Sequence, residues 1–127
     1  MVLVDTSVWV EAERKRVQAL VRLAELLESG EAAVSAVTVH ELLRSPKLPA
    51  EWRSFYEELF AILPVLDLTQ LAAEGAAQAW ARKGSDSNRD TADALIAATA
   101  RANGINAVTC DVGFAEWLPG AELLRPS

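Results

Sequence analysis

The chain has 127 residues, 51% hydrophobic and 24% charged, with 12 basic against 18 acidic side chains and a net charge of −6. These are the proportions of a globular domain with enough chain to bury a core, which excludes extensive disorder, and no apolar run approaches the ~20 residues of a bilayer span. A sequence pI near 4.8 excludes attachment to nucleic acid by a broad basic surface, and a single cysteine, Cys110, excludes an intrachain disulfide.

The first strand is predicted over the apolar run Val2-Leu3-Val4, followed by a turn at Asp5-Thr6-Ser7 and a short helix from Val8 to Arg14. Apolar residues at Val17, Leu20, Val21, Ala24 and Leu27 follow helical spacing, and Ser29-Gly30 supplies a left-handed stop. Ala33 to Val37 reads as a buried strand, with Thr38 capping a helix from Val39 to Arg44. Pro46 and Pro49 forbid a continuous helix, so a loop precedes the aromatic-rich helix from Glu51 to Ala61. A strand over Val65 to Leu68, a helix from Gln70 to Arg82 capped by Thr69, and a polar, mobile loop from Lys83 to Arg89 follow. An alanine-rich helix starts at Asp90 or Thr91 and stops near Asn103-Gly104. Ala107 to Cys110 is the next strand, Phe114 to Trp117 a short helix, and Ala121 to Leu124 an edge strand.

Strands alternating with helices predict an α/β fold: a three-layer α/β/α sandwich on a mainly parallel central sheet. The whole chain, 1–127, is expected to be one domain. The opening MVLVDTS has no basic leader region, so a reducing cytoplasm is the expected location, with no membrane association.

Phosphate-cradling glycine motifs are absent. His40 is the only histidine, which removes histidine-rich zinc sites and the usual serine triad, and it reads as a surface or packing residue. Cys110 reads as an inert small hydrophobe. What remains is acid at strand ends, where open parallel sheets bind ligands. Asp5 ends the first strand and Asp111 a later one. Glu41 falls in the first turn of the helix after the second strand, and Asp93 in the first turn of the alanine-rich helix. Each has a local explanation: a capping box for Thr38 to Glu41, helix capping and dipole complement for Asp90 and Asp93, turn closure for Asp5 and Asp111. Four such coincidences on one edge are less economical than a site. Clustered carboxylates need neutralising, and all-oxygen donors select Mg²⁺, with Mn²⁺ as substitute, which points to metal-dependent phosphoryl chemistry.

The stretches VLVDTSVWVE (Val2 to Glu11), VSAVTVHELLR (Val34 to Arg44), TADALIAATARANG (Thr91 to Gly104) and AVTCDVGF (Ala107 to Phe114) make the chain resemble the PIN-domain ribonucleases, and among them the VapC-type toxins of toxin–antitoxin pairs. The resemblance implies metal binding and catalysis by Asp5, Glu41, Asp93 and Asp111. It gives auxiliary places to Thr6, Ser7 and Thr109, and Asp90 is at most a further auxiliary acid. Cys110 stands where family members often carry a polar or basic residue. The resemblance also implies an endoribonuclease cutting RNA, tRNA or rRNA among the candidates, a homodimer, and silencing by a cognate VapB-like antitoxin.

Two other readings compete. A phosphorelay receiver needs paired acids after its first strand and a lysine after its last, but Asp5 precedes Thr6-Ser7 and no lysine lies beyond Lys83. A non-catalytic interaction module with the same fold is opposed by four intact acids. For an antitoxin, the helix from Glu51 to Ala61 offers aromatic surface, with Trp52 and Tyr56 expected to be more exposed than Phe55 and Phe60.

Overall fold

A computed structural model describes residues 1–84 and 90–125. The expected loop from Lys83 to Arg89 therefore lies largely outside the described residues, although Lys83 itself still belongs to the helix before it and Gly84 caps that helix at φ 71°. The elements run β1 (Val2–Val4), α1 (Thr6–Glu13), α2 (Val17–Ser29), β2 (Ala32–Ser35), α3 (Ala36–Leu43), α4 (Ala50–Phe60), β3 (Val65–Leu66), α5 (Gln70–Lys83), α6 (Thr91–Ala102), β4 (Asn106–Thr109), α7 (Val112–Trp117) and β5 (Glu122–Leu123).

All pairings in the sheet are parallel, in the order β3-β2-β1-β4-β5. The two-residue period of a strand sends successive side chains to opposite faces. Leu3, Ala33 and Ala107 therefore pack beneath α5, α6 and α7, while Val4, Val34 and Val108 meet α1, α2 and α4. The result is the three-layer α/β/α sandwich. Alanines at 94, 97, 98 and 100 are all buried, because a helix laid close against the sheet has no room for larger side chains. Among the described residues no helix is long and apolar enough to cross a membrane.

Chain order reverses at β1, which has β2 on one side and β4 on the other. The crevice outside the carboxyl ends of those two strands is where such sheets bind ligands. Each of the three central strands leads within two residues into a helix at that edge, and each helix has a polar cap: Asp5 for α1, Ser35 for α3, Asp111 for α7.

Two expectations change here. Helix α1 begins at Thr6, not Val8, because Asp5 is itself the N-cap and accepts from Ser7 N. Helix α3 begins at Ala36, not Val39: Ser35 Oγ accepts from Thr38 N at 3.0 Å, so the cap is Ser35. Thr38 is a buried residue of the first turn, and Glu41 sits one turn deeper than expected, outside any capping box. Ser35, at the end of β2, takes the cap because its hydroxyl meets the first orphan backbone donors of α3.

The aromatic helix is also phased differently. Trp52, Tyr56 and Phe60 recur every four residues and form one stripe on α4. Tyr56 is fully buried, stacked on Phe60 at 5.5 Å and edge-on to Trp9 at 5.9 Å, and its hydroxyl donates to Glu13. Phe55 lies off the stripe and is 41% exposed, so the exposed aromatic is Phe55 and not Tyr56. His40 is exposed, as expected.

Candidate active site

Asp5 is the centre of the carboxyl edge and is 2% exposed. Its Oδ2 is saturated: Ser7 Oγ donates at 2.7 Å and Thr109 Oγ1 at 2.8 Å. With both hydroxyl protons spent on Asp5, each hydroxyl oxygen is left to accept. Ser7 Oγ receives Cys110 N at 2.9 Å, and Thr109 Oγ1 receives Asp111 N at 3.0 Å. This mesh ties the end of β1 to the end of β4 and fixes the Asp5 plane. Its other oxygen, Oδ1, is buried and has no hydrogen-bond partner among the described residues.

A second hydroxyl chain serves Glu41. Thr6 Oγ1 donates to Glu41 Oε1 at 2.6 Å, which uses its only proton. The 2.9 Å contact between Thr6 and Thr38 must then be donated by Thr38, and Ser35 Oγ in turn donates to Thr38 at 3.3 Å. A row of one-proton donors thus runs from Ser35 through Thr38 and Thr6 and ends on the carboxylate. Thr38 and Ser35 were not among the residues expected from sequence to serve the site. The signal was present in the Ser35-Ala36-Val37-Thr38 spacing, but it becomes visible only once the cap is placed at Ser35.

Asp93 lies in the first turn of α6, which returns the chain to the start of β4 and so begins at the carboxyl edge. Burial pushes its carboxyl up to about 7, and the charges of Asp5, Asp111, Glu41 and Asp90 push it the same way. Burial likewise lifts Asp5 above the usual carboxylate range, against the hydrogen bonds from Ser7 and Thr109 that favour its charged form. Asp111 is exposed, and its Oδ1 accepts from Gly113 N at 2.9 Å as the cap of α7. Asp90 flanks α6 without a capping bond from its side chain. Burial, with Glu11 and Asp5, pushes the Cys110 thiol up to about 11, which keeps it protonated and unreactive.

The four acids therefore share one edge, and Asp93 feels the charge of the other three. They are not already drawn into a ligand shell: among the described residues no three His, Cys, Asp or Glu side chains are gathered as metal ligands. The donor set nevertheless fits a hard divalent cation. It is all oxygen, and the buried Asp5 Oδ1 is an orphan whose desolvation costs about 1–3 kcal/mol unless something electropositive meets it.

The fold and this edge define a parallel α/β sandwich with an acidic crevice at its topological switch point. The PIN domain family model matches residues 2–117, and the chain belongs to that family. No curated protein matches the chain in sequence. Among solved structures, it is similar to a DNA-bound VapBC from Salmonella typhimurium, at 25% identity over 98% of both chains with a TM-score of 0.73. A toxin–antitoxin complex from Klebsiella pneumoniae is similar at 20% identity over 95% of both chains, TM-score 0.74. FitAcB from Neisseria gonorrhoeae is similar at 24% identity over 98% of this chain and 97% of that one, TM-score 0.72.

Proposed function

We propose that the protein is a metal-dependent endoribonuclease, the toxin of a VapBC-type pair, hydrolysing RNA phosphodiesters at Asp5, Glu41, Asp93 and Asp111. The observation that carries this reading is the buried, half-satisfied Asp5 carboxylate at the switch point: one oxygen held by Ser7 and Thr109, the other without a partner among the described residues. Membership of the PIN family and the likeness to toxin–antitoxin structures support it.

In this reading Asp5, Glu41, Asp93 and Asp111 hold Mg²⁺, or Mn²⁺ in its place. The bound ion supplies charge to polarise a phosphoryl oxygen and acidify a water. The chain's own part is orientation. Ser7 and Thr109 fix Asp5 through Oδ2 and leave Oδ1 for the ion, while the Ser35-Thr38-Thr6 row orients Glu41. Asp93, whose raised proton affinity belongs to the metal-free crevice, gives up its proton in favour of the ion it helps to hold. Asp90 is auxiliary at most.

The partners follow from the same reading: an RNA substrate, a VapB-like antitoxin and a second copy of the chain. The antitoxin lays an apolar segment along Trp52 and Phe55, beside Lys15 and Glu51, where there is a groove of about 400 Å³. A basic antitoxin side chain set near Asp5 and Asp93 pairs with their carboxylates and blocks metal or substrate.

The test is to incubate the purified protein with total RNA, with and without Mn²⁺, and to map new RNA ends. Co-purification with the product of an adjacent short reading frame tests the partner, and light scattering of the free protein tests the dimer. Absence of Mn²⁺-dependent cleavage, with the fold intact, leaves the non-catalytic module as the better reading.

A further inference from the structure

A groove of about 580 Å³ lies away from the acids, between the end of α5 and the end of α7, floored by α6. Its side chains include Arg82, Lys83 and Arg101 against one acid, Glu116. In a chain with 12 basic and 18 acidic residues, this is a local reversal of charge. Arg101 Nη1 donates to the Trp117 carbonyl at 2.6 Å, and Lys83 Nζ sits 4.2 Å from the Trp117 ring centre and 2.8 Å from Glu116 Oε2. Trp80 stacks on Trp117 at 6.0 Å.

A second observation points to a ligand. Trp117 is 4% exposed, and its indole Nε1 is buried with no hydrogen-bond acceptor among the described residues. Buried indole N–H groups ordinarily find an acceptor, and this groove is rich in donors and poor in acceptors. A phosphate oxygen has the missing chemistry.

The groove also leads away from the acidic edge. Glu116 above all, and then Asp90 and Asp93, strengthen the hold of Lys83 on its proton, so its ammonium lies within the field of the acid cluster. Arg101 stands eight positions beyond Asp93 on α6, about 12 Å along the helix axis. A single strand spans that distance in a few nucleotides.

We infer that this groove carries the RNA strand away from the acidic crevice, with Arg82, Lys83 and Arg101 on successive phosphates and Trp117 Nε1–H donating to a phosphate oxygen. Lys83 exchanges Glu116 for the phosphate and lifts from the Trp117 ring as the strand enters. The inference rests on the ribonuclease reading for the kind of nucleic acid, but its binding step needs no metal. An acidic protein then holds a polyanion at two places, through a cation at the carboxylates and through this basic groove.

The experiment uses the full chain in EDTA with a fluorescein-labelled ten-nucleotide single-stranded RNA, read by anisotropy over a range of salt. The Arg82→Gln/Lys83→Gln protein is expected to bind about tenfold more weakly, and its salt slope to fall by about 1.4, two phosphate contacts at about 0.7 each. Trp117→Phe keeps an aromatic ring and removes the donor, and is expected to weaken binding three- to tenfold with the melting transition retained. Arg14→Gln, at the C-cap of α1 across the sheet, leaves affinity unchanged. With Mn²⁺, the double variant is expected to show a raised KM and an unchanged kcat.

Wild-type affinity and salt slope in both groove variants would overturn the inference, as would the absence of any RNA binding by the wild type. So would groove variants that lose binding of polyglutamate while RNA binding is untouched, which would assign the groove to an acidic protein partner. Groove-dependent binding without Mn²⁺-dependent cleavage supports the groove and removes the nuclease. Cleavage that ignores the groove variants does the reverse.

Discussion

Thr109 Oγ1 donates to Asp5 Oδ2 at 2.8 Å, joining residues 104 positions apart in the chain. The bond exists because β1 and β4 are neighbours in register, with Val4 opposite Val108, so Asp5 just after β1 arrives beside Thr109 at the end of β4. It leaves Asp5 with one oxygen held and one free to act.

That bond is testable by shape. Thr109→Val keeps the volume but removes both the donor to Asp5 and the acceptor for Asp111 N, leaving a partly buried amide unpaired. Stability is expected to fall by about 1–3 kcal/mol, and metal affinity by about tenfold or more, because groups that orient a ligand matter nearly as much as the ligand. Thr109→Ser restores most of both. Urea unfolding and Mn²⁺ titration by calorimetry check the two effects.

Asp5→Asn is expected to abolish cleavage, by about a thousandfold or more, as for a loss of about 4 kcal/mol of transition-state stabilisation. The fold persists. Wild-type protein at a hundredfold excess of Mn²⁺ over its Kd gains about 2.7 kcal/mol by mass action, seen as a raised Tm, whereas Asp5→Asn gains little. Wild-type turnover by the variant removes Asp5 from the site.

The Asp93 carboxyl predicts a pH dependence with a definite sign. Its folded value is pushed up to about 7 from an ordinary 3.8, chiefly by burial and then by neighbouring acids. Its contribution to stability is therefore complete below pH 3.8 and is lost as pH rises through about 7. The metal-free protein should melt progressively lower across that window. Because Asp93 is only partly buried, the effect should be about 1 kcal/mol after discounting for solvent screening. Asp93→Asn flattens the curve and melts higher above neutrality. Scanning calorimetry in EDTA from pH 4 to 8 reads the first effect directly.

Tyr56→Phe separates the fold from the chemistry. The hydroxyl donates to Glu13 and fastens α4 to α1, on the sheet face opposite α6. Its loss leaves a half-buried carboxylate without that donor and is expected to cost about 1.5–3 kcal/mol, with cleavage at 25 °C unchanged. An equal loss of cleavage would mean that the α1–α4 contact reaches the crevice.

The sequence by itself determined the layers. Alternating apolar strands and amphipathic helices leave little choice but a parallel sheet covered on both faces, and an acid placed immediately after a parallel strand is committed to the carboxyl edge by topology alone. Asp5 and Asp111 were legible for that reason, and Asp93 because a helix that returns to a strand start must begin at the opposite edge. Where hydrogen bonds between distant residues decided the outcome, local pattern gave the wrong answer. Thr38 looked like a cap beside Glu41. In the folded chain Ser35 takes the cap, and Thr38 joins a hydroxyl row that crosses to Thr6 on another helix. Tyr56 looked available for a partner, but the packing of Trp9 from α1 closed the stripe over it and left Phe55 outside. That Asp5 Oδ1 and the Trp117 indole have no partner among the described residues leaves no trace in the sequence. Whether a buried polar atom finds a partner is fixed only by which side chains the tertiary structure brings within about 3 Å of it.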